Sequence, residues 1–186
     1  MWIFLIRHWK VKNNINGVLN WWETDQDLSK QWLKEFDDIK FVDQIQKLNL
    51  DIIFTSSLKR AVQTAYKCNE ILSNNINITI DSRLNEQYFG DFAWCKIETI
   101  KNMYNIQDYK SLAFLYRNNN WSWESWDQFT SRIKSFFDEI FCDDKNVLVV
   151  AHGGVYKAYL YLYQNLSIDE VFTKNCSIKN LELVKL

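Results

Sequence analysis

Five side chains suited to binding and attacking an anion come at or shortly after the ends of apolar runs in the sequence. They are Arg7, His8, Arg60, Glu86 and His152. If the runs are parallel strands, their carboxyl ends meet at one edge of a sheet, where ligands of open α/β folds bind. Each residue alone fits a structural role, but charged groups gathered at one edge are costly to desolvate unless they bind an ion. The joint placement therefore predicts one anion site.

Phosphate is the anion that these groups fit best. The paired donors of a guanidinium match phosphate oxygens, and a helix beginning near Gly153 would add backbone N–H groups and a favourable dipole. A neutral imidazole is a competent nucleophile at phosphorus, and a carboxyl group can protonate the departing alkoxide. For His8 to stay neutral beside cations, one ring nitrogen is expected to bond a backbone carbonyl, which leaves the other as an acceptor.

The elements that must position these groups alternate between strands and helices. Short apolar runs rich in branched side chains predict buried strands at 2–6, 51–55, 76–80 and 146–151. Helical spacing predicts helices from Ser57 to about 72, from 126 to 141 and from Val155 to about Tyr163, with Ser56 or Ser57 and Ser125 as N-caps. This order predicts an α/β fold: a three-layer sandwich with a mainly parallel central sheet, helices on both faces and a single domain over 1–186.

Two segments fit neither pattern. The stretch from about 92 to 125 is rich in Trp, Tyr and Asn and is predicted to be a small inserted lid, and 15–45 to be a loop followed by one or two helices. The aromatic residues of the lid either stack on a sugar or base or form a satellite core; they are Tyr104, Tyr109, Tyr116, Trp121 and Trp123.

Composition and charge narrow the functional classes. The 186 residues carry 22 basic and 23 acidic side chains, a net charge of −1, which argues against a nucleic-acid or anionic-membrane partner. The four cysteines are far apart and form no CxxC pair, so no metal is predicted. The amino-terminal apolar run meets charge too early to span a membrane. We expect a cytoplasmic protein that binds a small-molecule phosphate ester, and the sequence indicates no oligomeric state.

Four segments, taken in order, resemble the histidine phosphatase superfamily, the phosphoglycerate-mutase-like proteins. They are RH at Arg7 and His8, TSSLKRAVQTA from Thr55, RLNEQYFGDF from Arg83 and VVAHGG from Val149. The segment WESWDQFTSRI is also similar to the one that precedes the last long helix of the family. The resemblance runs almost end to end, and it points to the small phosphatase branch that includes α-ribazole phosphatase.

The resemblance implies a role for each residue of the site. His8 would accept the phosphoryl group as phosphohistidine, and Glu86 would protonate the leaving group and then act as the base for water. The groups that would bind the phosphoryl oxygens are Arg7, Asn14, Arg60, His152 and Gly153. The resemblance implies no metal or other cofactor, and it implies hydrolysis of a phosphomonoester of a small metabolite.

The residues after His8 depart from the family pattern, in which a glycine follows the nucleophile. Here Trp9 follows, and it either packs as a core residue or walls the pocket, with Lys10 and Glu124 as further candidates for the wall. The acidic residue usual in mutases is missing from this motif, which favours hydrolysis. Two alternatives stay open: a phosphoglycerate-mutase-like transferase, and a phospholigand-binding protein made inactive by Trp9.

Overall fold

A mainly parallel sheet forms the centre of the fold. The computed structural model describes residues 1–11, 25–28, 36, 38–73, 75–90, 95–103, 105, 124–172 and 176–186. Within these residues the strands are β1 (Ile3–Arg7), β2 (Ile52–Thr55), β3 (Asn77–Ile80), β4 (Val147–Ala151) and β5 (Leu183–Lys185). Their order is β3-β2-β4-β1-β5, and only β5 runs antiparallel to its neighbour. The predicted sheet is confirmed, with β5 as an addition.

Helices cover both faces of this sheet. The longer ones are α1 (Ile39–Gln46), α2 (Lys59–Ile71), α4 (Trp126–Ile140) and α5 (Gly153–Tyr163). Shorter ones are α3 (Ile97–Met103), α6 (Ile168–Val171) and a 3-10 turn at Ser82–Leu84. Side chains alternate along a strand, so Leu5 and Val149 pack with α4 and α5, whereas Ile6 and Val150 pack with α1 and α2. The predicted three-layer α/β architecture is confirmed.

The boundary of α2 differs from the sequence prediction. The helix begins at Lys59 with Leu58 as its N-cap residue, and no side chain caps it. The prediction of Ser56 or Ser57 as the cap was wrong, because both hydroxyl groups donate instead to Oδ1 of Asn85, at 2.8 and 2.9 Å. The hydroxyls thus join the start of α2 to the segment that follows β3.

The other predicted boundaries hold with smaller changes. Ser125 caps α4 through a capping box with Gln128, as predicted. Helix α5 begins at Gly153, two residues before the predicted start, so the two glycines lie in its first turn. Most of the predicted lid lies outside the described residues, including all five of its named aromatic residues. None of the helices in the described part of the chain is long and apolar enough to cross a membrane.

Candidate active site

The pairing of β1 with β4 places the two histidines side by side. Arg7 pairs with Ala151, and the backbone N–H of His8 donates to the carbonyl oxygen of Ala151 at 2.9 Å. Each histidine is the first residue beyond its strand, so the two imidazole rings meet at the carboxyl edge of the sheet. Their centroids are 5.1 Å apart, and the two side chains are buried, with 2% and 0% exposure. The neighbourhood predicted for these residues is present.

Hydrogen bonding and burial prepare His8 as a neutral nucleophile. Its Nδ1 lies 2.6 Å from the carbonyl oxygen of Trp9, an acceptor, so Nδ1 carries the proton and Nε2 keeps a lone pair. This is the hydrogen bond that the sequence predicts. Burial, followed by the positive charges of Arg60 and Arg7, holds the pKa of His8 well below its usual range. The ring is therefore neutral near pH 7.

The second histidine uses its ring nitrogens differently. Nε2 of His152 lies 2.8 Å from Oγ of Ser56, whereas Nδ1 is buried and has no hydrogen-bond partner among the described residues. Burial and then the charge of Arg60 hold the pKa of His152 well below its usual range. A buried polar atom without a partner is a candidate contact for water, an ion or a ligand.

Two arginines supply positive charge at the same edge. Arg60, in the first turn of α2, is fully buried, and burial lowers the pKa of its guanidinium to about 10, so it stays charged at neutral pH. Nη1 of Arg7 donates to the carbonyl oxygen of Ile178 at 2.9 Å, which orients the side chain. A Cβ built on Gly153 would lie 3.7 Å from Cζ of Arg7, so this guanidinium lies beside the amino end of α5. Cations and helix dipole act together there.

Glu86 reaches the same helix end from the segment after β3. Oε2 of its carboxylate accepts a hydrogen bond from the backbone N–H of Gly154 at 3.2 Å. A Cβ on Gly154 would lie only 2.1 Å from Oε1 of Glu86, so any other residue at 154 would displace the carboxylate. The second glycine of the AHGG segment is therefore needed for the position of Glu86, a requirement that sequence reasoning missed.

Glu124, predicted as part of the pocket wall, has a structural partner. Its two carboxylate oxygens accept hydrogen bonds from Nε and Nη2 of Arg132, at 2.6 and 2.9 Å. The same guanidinium donates to the carbonyl oxygens of Arg83, Asn85 and Glu86, at 2.6, 2.8 and 3.1 Å. Arg132 thus holds the backbone of the segment from Arg83 to Glu86. No local sequence pattern predicts this contact, which joins α4 to a segment more than 40 residues away.

Trp9 lies in the core. Its indole is 4% exposed and belongs to the apolar cluster on the face of α1 and α2, where its ring meets Phe36 at 5.8 Å between centroids. Of the two roles that the sequence leaves open for Trp9, the structure shows packing. Trp9 is not among the described residues with positive φ, so its backbone conformation does not require glycine. Nζ of Lys10 lies 5.0 Å from the centroid of the Trp9 indole, and Asn14 lies outside the described residues.

Several residues that complete the site were missed from the sequence. Nδ2 of Asn180 donates to the carbonyl oxygen of His8 at 2.6 Å, and Oγ1 of Thr64 accepts from the N–H of Trp9 at 3.0 Å. Ser56 and Asn85 lie within the TSSLKRA and RLNE segments, but their types alone indicate turns or caps. Among the described residues, no group of three or more His, Cys, Asp or Glu side chains could hold a metal ion.

The sheet order is that of an α/β protein, and its carboxyl edge carries two neighbouring histidines, the buried Arg60 and the partly buried Arg7. A family model described as "Histidine phosphatase superfamily (branch 1)" matches residues 3–185. The chain belongs to the histidine phosphatase superfamily.

Known relatives include both mutases and phosphatases. A 2,3-bisphosphoglycerate-dependent phosphoglycerate mutase of Cytophaga hutchinsonii is 25% identical over 177 residues, which cover 91% of this chain and 80% of that protein. A mycobacterial glucosyl-3-phosphoglycerate phosphatase, solved as a complex with VO3, superposes with a TM-score of 0.77 at 21% identity, covering 99% of this chain and 91% of that one. The α-ribazole phosphatase of Shigella flexneri superposes with a TM-score of 0.76 at 18% identity, covering 100% of this chain and 89% of that one. The two structures share the fold.

Proposed function

We propose that this protein hydrolyses phosphomonoesters of small metabolites through a phosphohistidine on His8. The observation that carries the proposal is the state of His8: a buried, neutral ring whose Nδ1 is bonded to a carbonyl, beside the guanidinium groups of Arg7 and Arg60. This arrangement supplies a nucleophile and the charge needed to stabilise the transferring group. No metal takes part in the proposed reaction.

The first half of the reaction transfers the phosphoryl group to the enzyme. Nε2 of His8 attacks phosphorus as the bond from phosphorus to the ester oxygen breaks and its electron pair stays on that oxygen. Glu86, as a carboxylic acid, gives its proton to the departing oxygen, and the alcohol leaves. Positive charge from Arg7 and Arg60 offsets the negative charge spread over the transferring oxygens.

The second half returns the enzyme to its starting state. The carboxylate of Glu86 takes a proton from water as the water oxygen attacks phosphorus and the bond to His8 breaks. Inorganic phosphate leaves, and Glu86 is again protonated for the next substrate. The carboxyl group of Glu86 is bonded to the N–H of Gly154, two residues beyond His152 in the first turn of α5, and this position supports both roles.

A second candidate is a phosphoglycerate-mutase-like transferase. The 25% identity to the Cytophaga mutase favours it, and the chemistry differs only in whether water or a second substrate oxygen accepts the phosphoryl group. We favour hydrolysis because the His8 motif lacks the acidic residue usual in mutases. Product analysis with a bisphosphorylated metabolite separates the two: release of inorganic phosphate supports hydrolysis, and an isomerised monophosphate product supports the mutase.

The packing of Trp9 supports an active site that is not blocked. Because the indole is buried with Phe36 in the cluster on the face of α1 and α2, the departure from the family glycine is explained by core packing. We therefore favour an enzyme over a phospholigand-binding protein made inactive by Trp9. The cytoplasmic location and the lack of nucleic-acid and membrane partners stay predictions from the sequence.

The test of the proposed function is hydrolysis of an aryl phosphate in the presence of a chelator. We expect activity in the wild type and its loss in His8→Ala. The matched pair at position 9 is Trp9→Phe, which keeps an aromatic ring in the core, and Trp9→Gly, which leaves a cavity that costs about 3–5 kcal/mol of stability. Trp9→Phe should stay active and Trp9→Gly should lose stability without gaining activity. An inert wild type with an active Trp9→Gly variant would support the binding protein.

A further inference from the structure

The hydroxyl group of Ser56 connects His152 to Asn85, and its hydrogen can point in one direction only. Oδ1 of Asn85 accepts a hydrogen bond from the backbone N–H of Ser57 at 2.9 Å, which identifies this atom as the amide oxygen. Ser56 Oγ lies 2.8 Å from the same oxygen, which cannot donate, so the Ser56 hydroxyl must donate to it. The remaining capacity of Ser56 Oγ is to accept, and it accepts from the N–H of Leu58 at 3.2 Å.

This pattern fixes the tautomer of His152. Since Ser56 Oγ has no second hydrogen to give, Nε2 of His152, at 2.8 Å, must carry the proton of that bond. In the neutral ring Nδ1 therefore carries a lone pair, and it is the buried atom that lacks a hydrogen-bond partner among the described residues. Ser56 and Asn85 are themselves buried, so water does not replace either of them easily.

A phosphate dianion placed against this lone pair meets an acceptor where it needs a donor. The proposed function places the phosphoryl oxygens against both His8 and His152, whose ring centroids are 5.1 Å apart, and a dianion carries no hydrogen of its own. Resting on that function, we propose that each phosphoryl dianion binds together with one proton from solvent, held between Nδ1 of His152 and a phosphoryl oxygen. Ser56 and Asn85 are the positioning residues that make this proton obligatory.

The charges around His152 determine when the proton is present. Burial, and then the positive charge of Arg60, keeps the pKa of the free His152 well below its usual range, and His8, Arg7 and Arg132 act in the same direction. The carboxyl group of Glu86 reaches the same helix end, where it accepts a hydrogen bond from the N–H of Gly154. The unliganded ring is thus neutral near pH 7, with its proton on Nε2, and the two negative charges of the ligand favour a second proton on Nδ1. The proton stays on the Nδ1 side throughout transfer and returns to solvent when phosphate leaves.

Proton uptake by Lys157 on α5 has to be distinguished from proton uptake by His152. Burial lowers the pKa of Lys157 to about 8, and its charge interacts with Glu86 and Arg7, so phosphate binding could protonate it as well. The variant Lys157→Arg keeps a cation that does not titrate near neutral pH. A proton count that persists in this variant cannot come from residue 157.

The experiment is calorimetric titration of the full chain with inorganic phosphate at about pH 8, where free phosphate is mainly the dianion. Repeating it in buffers of different ionisation enthalpy gives the number of protons taken up. We expect ~1 proton per bound phosphate in Lys157→Arg, the stoichiometry that a single linked site gives, and the same count or a higher one in the wild type, where Lys157 can add to it. A count near zero with phosphate bound overturns the inference and leaves the proposed hydrolysis standing. No binding of phosphate at all would overturn both.

A matched pair of serine variants tests the role of Ser56. Ser56→Ala removes the acceptor of Nε2–H, so the neutral ring can place its proton on Nδ1 and bind the dianion without uptake, and the count should fall towards zero. Ser57→Ala removes a hydroxyl that bonds the same Asn85 oxygen but does not touch His152, and the count should not change. Asn85→Asp is the alternative variant if Ser56→Ala does not fold. Its negative charge would favour protonation of His152 before phosphate binds, so the number of protons taken up on binding should again fall. An unchanged count in both Ser56→Ala and Asn85→Asp overturns the positioning role.

Discussion

The substitution Gly154→Ala displaces the carboxyl group of Glu86 and leaves the chemical identity of every side chain in the proposed site unchanged. The added Cβ would start 2.1 Å from Oε1 of Glu86, and real Cβ contacts essentially never fall below 3.0 Å, so the carboxylate must retreat by about 0.9 Å or more. A displacement of about 1 Å in a catalytic group can cost ~10²-fold in rate. Alanine is favoured over glycine in a helix by about 1 kcal/mol, so α5 itself should form.

The assay compares two esters that differ in their need for an acid. An alkyl phosphate requires protonation of its leaving oxygen, whereas an aryl phosphate with a strongly electron-withdrawing ring requires little. We expect Gly154→Ala to lower kcat for the alkyl ester about 100-fold and for the aryl ester much less.

The matched substitution is one residue away. Gly153→Ala places its Cβ 3.7 Å from Cζ of Arg7, an ordinary contact, and should leave the ratio of the two rates at the wild-type value. Equal losses on both esters in Gly154→Ala, in a protein with a wild-type melting temperature, would refute the assignment of Glu86 as the acid.

Three further predictions concern the supports of the site. Arg132→Lys loses the multiple hydrogen bonds to Glu124 and to the backbone at Glu86. We therefore expect kcat for the alkyl ester to fall about 10-fold or more in a folded protein. Wild-type kinetics in this variant would contradict the role of Arg132 in positioning Glu86. Because the folded-state pKa values of His8 and His152 lie below 6.5, the unfolded chain binds more protons below that pH. The unfolding free energy of the unliganded protein should therefore fall as pH drops below 6.5, by up to about 1.4 kcal/mol per pH unit per histidine. Chemical denaturation at several pH values measures this slope, which should be shallower in His8→Ala. Ser125→Ala removes the cap of α4 and should cost about 1 kcal/mol of stability in the same assay, with kcat unchanged.

The parts of the fold that the sequence predicted are those with a local pattern. The apolar runs at 2–6 and 146–151 identify β1 and β4 because both are buried on both faces, and the stripe from Trp126 to Ile140 identifies α4. The short strand β5 has only three residues with no alternation to detect, and it forms because β1 offers a free edge. Local periodicity carries no information about such a partner.

The residues of the site also divide into those that a local pattern predicts and those that it does not. His8 and His152 could be placed because each directly follows a strand, and the register of β1 with β4 brings them together. The contacts that tune them come from far along the chain: Ser56 and Asn85 meet across 29 positions, and Asn180 reaches His8 across 172. Trp9 could not be assigned from its type, since a tryptophan suits both a core and a ligand pocket, and only its packing with Phe36 distinguishes the two.

The most direct measurement is the position of the phosphoryl group during turnover. The protein is mixed with a labelled phosphomonoester, quenched in alkali, which preserves phosphohistidine, and digested for mass spectrometry. We expect label on the peptide that contains His8, its disappearance as substrate is exhausted, and no label in His8→Ala. Turnover without a labelled His8, or with label on another residue, would contradict phosphoryl transfer through His8.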